Sequence, residues 1–231
     1  MSSAVNVSMA MQKSRGQVSH QQGKQQGFAM HRFLPIGAHL LLAAGSAFAA
    51  GPANLDPSAV AVGRYKVDPT HTRLQFTVSH MGFTNWYGDF SGATGTLRLD
   101  PKNIAASQLN IAIPVASVST TNTVLDGELK SAEWFDAVRF PEIRFVSTTI
   151  VPTGARTADI TGDLTFHGVT KSVVLAARFN AAGINPLSKT YTVGFDAMTT
   201  LSRSDFDVKK YVPLVGDETV LRISAAFEKQ P

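Results

Sequence analysis

From Leu74 the chain alternates. Leu74, Phe76, Val78 and His80 fall on one face, and Gln75, Thr77 and Ser79 on the other. This period-two pattern predicts a half-buried strand. The rhythm returns at Leu109/Ile111/Ile113/Val115, Ile143/Phe145, Ile160/Gly162/Leu164/Phe166, Val173/Leu175/Ala177/Phe179, Tyr191/Val193/Phe195/Ala197 and Leu221/Ile223/Ala225/Phe227. A short strand over Tyr65–Val67 is predicted to end at an Asp68-Pro69 turn, with the Leu74 strand following over 72–81. A glycine-punctuated strand is predicted from about 87 to Leu99. His167-Gly168-Val169-Thr170 reads as a hairpin connection, with Gly168 supplying a positive φ. Residues 121–140 break the alternation. Asn122 or Thr123 is placed to cap a short helix through Leu129, and Ser131 to cap a turn through Trp134 and Phe135.

About eight or nine strands at hairpin spacing, with one short helical segment and no strand–helix–strand rhythm, predict an all-β antiparallel fold. A sheet of that size removes its edges by closing into a barrel or splitting into a sandwich. With one apolar face per strand, a single compartment is enclosed. Small inward residues (Ala93, Gly95, Gly162, Ala177, Ala197, Ala225) leave room for a ligand among the large ones. A fully packed barrel is the alternative on pattern alone. Phe83, Trp86, Tyr87 and Phe90 crowd the stretch after the first long strand and suggest an apolar wall.

Composition changes the picture mainly at the N-terminus. Residues 1–29 are rich in Gln, Ser and Gly and read as unstructured or as an over-long start. Residues 30–49 read as a signal peptide: a basic start at His31-Arg32, an apolar core from Phe33 to Ala44, and Ala47-Phe48-Ala49 as the cleavage site, with the cut before Ala50. Export to the periplasm is therefore expected, with 50–63 as a lead-in and the barrel over 64–229. The pI near 9.4 overstates the basic character. Lys13, Arg15, Lys24 and Arg32 all precede the cut, so the 21 basic residues less these four leave 17 against 17 acidic. A neutral chain offers no field to gather nucleic acid. The absence of cysteine excludes disulfides, thiolate nucleophiles and Cys-ligated metals.

Candidate chemistry is sparse. His80 stands on the apolar face, as a core histidine or as a polar contact to a ligand head group. His71 and His167 sit at turns, and the histidine spacing is wrong for a structural zinc site. Asp126, Glu128, Glu133 and Asp136 read as a solvated face flanked by Lys130 and Arg139, rather than a glycosidase carboxylate pair. Arg203 has the chemistry to bind a diphosphate bidentately, or to pair internally with Asp205 or Asp217. No nucleophile elbow, phosphate loop or dinucleotide fingerprint occurs.

Seven segments in order carry a family resemblance: Tyr65–His71; His80–Phe83 with Gly88–Gly92; Leu129–Asp136; Phe140–Phe145; Gly162–Lys171; Ser202–Phe206; and Leu214–Glu218. Together they make residues 64–229 resemble the YceI-like family of exported lipid-binding proteins. The resemblance implies a lipocalin-like antiparallel β-barrel whose tubular apolar pocket holds a long-chain isoprenoid, such as a prenyl diphosphate or quinone tail, or another amphiphile. It implies binding rather than catalysis, no cofactor beyond such a ligand, and pairing into homodimers with transient membrane contact. The residues expected to line the pocket are Leu74, Phe76, Val78, Phe83, Phe90, Trp134, Phe135, Phe145, Phe166, Val193 and Phe195, with His80 and Arg203 as polar contacts. Trp86 and Tyr87 depart from the family pattern, as does Asp207, where glycine is common. Two other readings stand beside this one: an enzyme on a hydrophobic substrate with His80 as acid or base, and a packed module without ligand.

Overall fold

The computed structural model describes residues 53–231; the predicted signal peptide and the residues before it lie outside this range. Ten strands form one antiparallel sheet: β1 (Ala53–Asn54), β2 (Gly63–His80), β3 (Thr84–Phe90), β4 (Thr94–Leu99), β5 (Gln108–Pro114), β6 (Glu142–Pro152), β7 (Thr157–Phe166), β8 (Val169–Ile184), β9 (Tyr191–Ser202) and β10 (Val215–Lys229). Successive pairing runs β8-β7-β6-β5-β4-β2-β10-β9, and β9 pairs back onto β8. The sheet is thus a closed eight-stranded barrel. β3 extends the wall beside the far half of β2, where β4 has ended, and β1 adds two residues to the end of β8.

Two local predictions change. The short Tyr65–Val67 strand and the Leu74 strand are one continuous β2. Asp68-Pro69 does not turn the chain. It opens a bulge, with Asp68 opposite Ala226 and Arg73 opposite Ser224, so residues 69–72 face a single residue of β10. Asp68 holds the bulge by accepting bonds from the Thr70 amide (2.9 Å) and from Nδ1 of His71 (2.6 Å). The bulge keeps Val67 and Leu74 on the same inward face although they are an odd number of residues apart. The strand predicted over 87–99 is broken at Ser91–Ala93 into β3 and β4, with Gly92 at φ +69° making the step.

Other local signals fold as written. Asn122 caps α1 (Thr123–Lys130) by accepting from the amides of Val124 and Leu125 at 3.1 and 3.2 Å. His167 (φ +50°) and Gly168 (φ +77°) form the two-residue β7–β8 hairpin, with both φ values positive as a type I′ turn requires. Asp207 adopts the left-handed conformation (φ +63°), which explains why glycine suits that position.

Strand directions define two barrel ends. One carries the Met81–Phe83 turn, α1 and its flanking segment 115–141, the His167-Gly168 hairpin and the 203–214 connection. The opposite end carries the 53–62 lead-in, residues 100–107, the 153–156 turn and the 185–190 loop.

Candidate functional site

The barrel encloses an apolar cavity of about 420 Å³, within the usual range for small-molecule sites of roughly 300–1,000 Å³. Every strand of the ring contributes: Leu74 (β2), Leu97 (β4), Ile111 (β5), Phe145 (β6), Ile160 (β7), Leu175 (β8), Phe195 (β9) and Ile223 (β10). In a packed barrel such inward residues would be fully buried. Leu74, Ile111, Ile160, Phe195 and Ile223 keep accessible surface instead, facing the cavity. Ala177 and Ala197 are paired neighbours across β8 and β9, and both line it, so two small side chains leave width there.

One end of the tube is closed by rings. Phe76 and Phe90 lie 5.7 Å apart, Phe90 and Phe135 6.0 Å, Phe135 and Phe166 5.3 Å, and Phe166 and Phe206 6.1 Å. This tilted ladder is favourable aromatic geometry, and none of its members lines the cavity. It seals the end capped by α1 and the 203–214 connection. The other end is the mouth: five of the seven exposed lining residues, Ser58, Pro152, Gly154, Ala155 and Thr157, gather there, with Pro57, Pro101, Ile104 and Arg156, while Arg73 and Asp196 lie along the wall. The lead-in at the mouth is held in place. Tyr65, fully buried, donates its hydroxyl to the Ala61 carbonyl, and the Ala61 amide donates to the Tyr191 hydroxyl at 3.2 Å. Burial, with the neighbouring Tyr191 adding to it, pushes the Tyr65 phenol up to about 12.

Of the residues expected to line the pocket, Leu74, Phe145 and Phe195 do so. Phe76, Phe90, Phe135 and Phe166 belong to the aromatic floor instead, because the 115–141 segment and β3 fold over that end and pack them against one another, Phe90 and Phe135 buried and Phe76 and Phe166 half-buried. Val193 is fully buried in the core, at the inward position beside Phe195. Val78 pairs with Trp86 at the closed end. Phe83 is 85% exposed in the turn between β2 and β3 and faces solvent, since the strand ends at His80 and releases the alternation. Trp134 packs edge-on to Tyr211, with the Arg203 guanidinium 5.6 Å from its ring centre, outside the cavity.

The two polar candidates also lie off the cavity. His80 stacks on Trp86 (5.6 Å between ring centres) at the closed end. Trp86 shares the inward face with His80, while Tyr87 points outward and is exposed. Arg203 is buried, and backbone carbonyls take up its donors: Gly216 at 2.9 Å, Val208 at 2.7 Å, and Lys210 and Val215 both at 2.9 Å. Desolvation lowers its pKa, opposed by the charge of Asp217. Asp217 turns instead to Ser204, accepting from its amide at 2.8 Å and its hydroxyl at 2.7 Å. Desolvation works against the Asp217 carboxylate, but these bonds and the Arg203 charge hold it below its ordinary value. Arg203 therefore organises the 203–214 connection.

Sequence reasoning missed the aliphatic wall (Ile111, Ile160, Leu175, Ile223) and Arg156. The wall was legible in the same alternation, whose inward positions hold these aliphatic side chains beside the aromatic ones. Arg156 carries no pattern of its own, lying in a turn between strands. Among the described residues no cluster of three or more His, Asp or Glu is arranged to hold a metal ion.

Residues 65–227 match the family model of the YceI-like domain. The chain belongs to the YceI-like family. It is 37% identical over 166 residues to a UPF0312 protein of Pseudomonas savastanoi pv. phaseolicola, covering 71% of this chain and 86% of the relative. Among solved structures, it is similar to Burkholderia cenocepacia BcnA (TM-score 0.63, 25% identity, 69% of this chain and 98% of the other). A polyisoprenoid binding domain from Saccharophagus degradans shares the fold (TM-score 0.55, 14% identity, 74% of this chain and 100% of the other).

Proposed function

We propose that this YceI-like protein binds a long-chain isoprenoid, such as a prenyl diphosphate or quinone tail, or a similar amphiphile, and carries it without altering it chemically. The apolar cavity, walled by all eight ring strands and closed at one end, carries this reading. Burial contributes roughly 0.8 kcal/mol per CH₂. About ten buried carbons thus supply roughly 8 kcal/mol, which corresponds to micromolar affinity before ordering costs. The description of the Saccharophagus domain as polyisoprenoid binding supports the ligand class. The stacking of His80 on Trp86, away from the cavity, favours carriage over acid–base catalysis. The open cavity favours it over a packed module.

Native mass spectrometry of protein purified from its own host tests the proposal. A bound amphiphile, recovered again by solvent extraction, is the expected result. A clean apo mass with an empty extract overturns it. Export to the periplasm rests on the 30–49 segment and is tested by N-terminal sequencing of the periplasmic fraction, with Ala50 expected first. For homodimer formation or transient membrane contact, the surface we assign is the exposed apolar tip at the closed end, Met81, Phe83 and Leu214. Sedimentation and vesicle flotation of Phe83→Ser against wild type test it, with loss of either association expected.

A further inference from the structure

Arg156 ends the turn that joins β6 to β7, at the cavity mouth, and it is half-buried. Its guanidinium is fixed on one side. Nε donates to the Phe179 carbonyl at 3.1 Å; Nη2 donates to the same carbonyl at 2.9 Å and to that of Asn180. Its charge lies 5.7 Å from the centre of the Phe179 ring, itself a cavity-lining residue. The Phe179 amide donates back to the Arg156 carbonyl at 2.8 Å, locking the turn to β8. The other side is free. Among the described residues Nη1 makes no hydrogen bond, and the four ion pairs all lie elsewhere. A partly desolvated cation without a carboxylate partner therefore sits where an apolar tube meets water.

The other charged residues bordering the cavity differ. Asp196 accepts from the Ser224 hydroxyl at 2.8 Å on the barrel wall, and Arg73 is exposed, bonded to the Thr72 carbonyl at 2.9 Å. Neither is at the mouth.

We propose that Arg156 anchors the ligand head group and selects amphiphiles whose head is anionic, a diphosphate, phosphate or carboxylate; this rests on the amphiphile-binding function proposed above. A tail that runs down the tube to the aromatic floor leaves its head at the 153–156 turn. There the Nη1 edge supplies two N–H donors to an anionic oxygen, charge-assisted and without cost in orienting the side chain. A neutral head offers no charge to the guanidinium and leaves it uncompensated.

The test compares two probes with one tail, farnesyl diphosphate and farnesol, by fluorescence competition at constant ionic strength. The wild-type protein is expected to bind the diphosphate about tenfold or more tightly, since only the anionic head gains charge-assisted bonds from the guanidinium. Arg156→Gln is expected to bring the two affinities together while farnesol binding stays as it was; Arg156→Lys retains part of the preference, and Arg222→Gln, at an exposed β10 position outside the cavity lining, retains all of it. Equal wild-type affinities overturn the head-group assignment and leave amphiphile binding intact. Binding of neither probe, with no lipid in the native mass spectrum, overturns the underlying function. A diphosphate preference that persists undiminished in folded Arg156→Gln overturns the assignment to Arg156, and equal wild-type affinities overturn it without any variant.

Discussion

The ring of Phe145 lies directly on Gly162, two barrel strands meeting without a side chain between them. A Cβ on Gly162 would stand 2.4 Å from Cζ of that ring and 2.6 Å from the Val146 carbonyl oxygen. The glycine lets Phe145 lie against the wall, and the space in front of the ring remains cavity. Gly162→Ala is expected to drive Phe145 inward, cost about 1–3 kcal/mol as overpacking does, and weaken amphiphile binding. Urea denaturation with a binding titration checks both parts; unchanged stability and affinity would show that the wall yields freely.

The aromatic floor sets the depth of the tube. Phe135 is its central member, in edge contact with Phe166 and 6.0 Å from Phe90. Phe135→Ala is expected to cost about 3–5 kcal/mol and to lengthen the cavity toward α1. The variant, assayed below its unfolding temperature, should then gain relative affinity for longer prenyl tails. A chain-length series from C10 to C20 measures the shift.

Width depends on the paired alanines. Ala197→Phe puts a ring into the cavity from β9 opposite no tight neighbour, because Ala177 beside it is also small. Stability is expected to hold within about 1.5 kcal/mol, since an apolar side chain fills apolar space, while lipid co-purification falls sharply. Thermal unfolding and native mass spectrometry separate the two effects. Full lipid occupancy in a folded Ala197→Phe protein would contradict the cavity as the binding site.

Tyr65 and Asp217 contribute to opposite limbs of the pH dependence. The Tyr65 phenol is raised from 10.0 to about 12, so its neutral form is favoured in the folded state. The stability it contributes is complete below pH 10 and lost as pH rises through about 12, on the order of 2–3 kcal/mol. Tyr65→Phe is expected to flatten this alkaline limb in denaturation midpoints measured from pH 9 to 12. Asp217 is lowered, so its contribution is complete above the unfolded carboxylate value and lost as pH falls through the folded one. Asp217→Asn should blunt the acid limb, below about pH 4, in denaturation midpoints measured from pH 7 down to about 2.

Period-two patterning, turn chemistry and one helix cap are local properties, and the sequence by itself determined them. Alternation assigned every ring strand an inward face, Asn122 began the helix, and His167-Gly168 made the hairpin. What alternation leaves open is depth. Phe145 and Phe166 both sit at inward positions, yet one lines the cavity and the other seals it, because the 115–141 and 203–214 segments fold over only one end. Register across a bulge is likewise set between strands, so Pro69–Thr72, which carry three residues more than the facing strand, read locally as a turn. The two arginines show the same division most plainly. Arg203 had the more suggestive motif, but the connection it organises surrounds it with carbonyls. Arg156 had no motif, and the closure of β8 against both β7 and β9 placed it at the mouth. Local sequence fixes which way a side chain points; only the closed barrel, by bringing distant strands and loops together, decides what it points at.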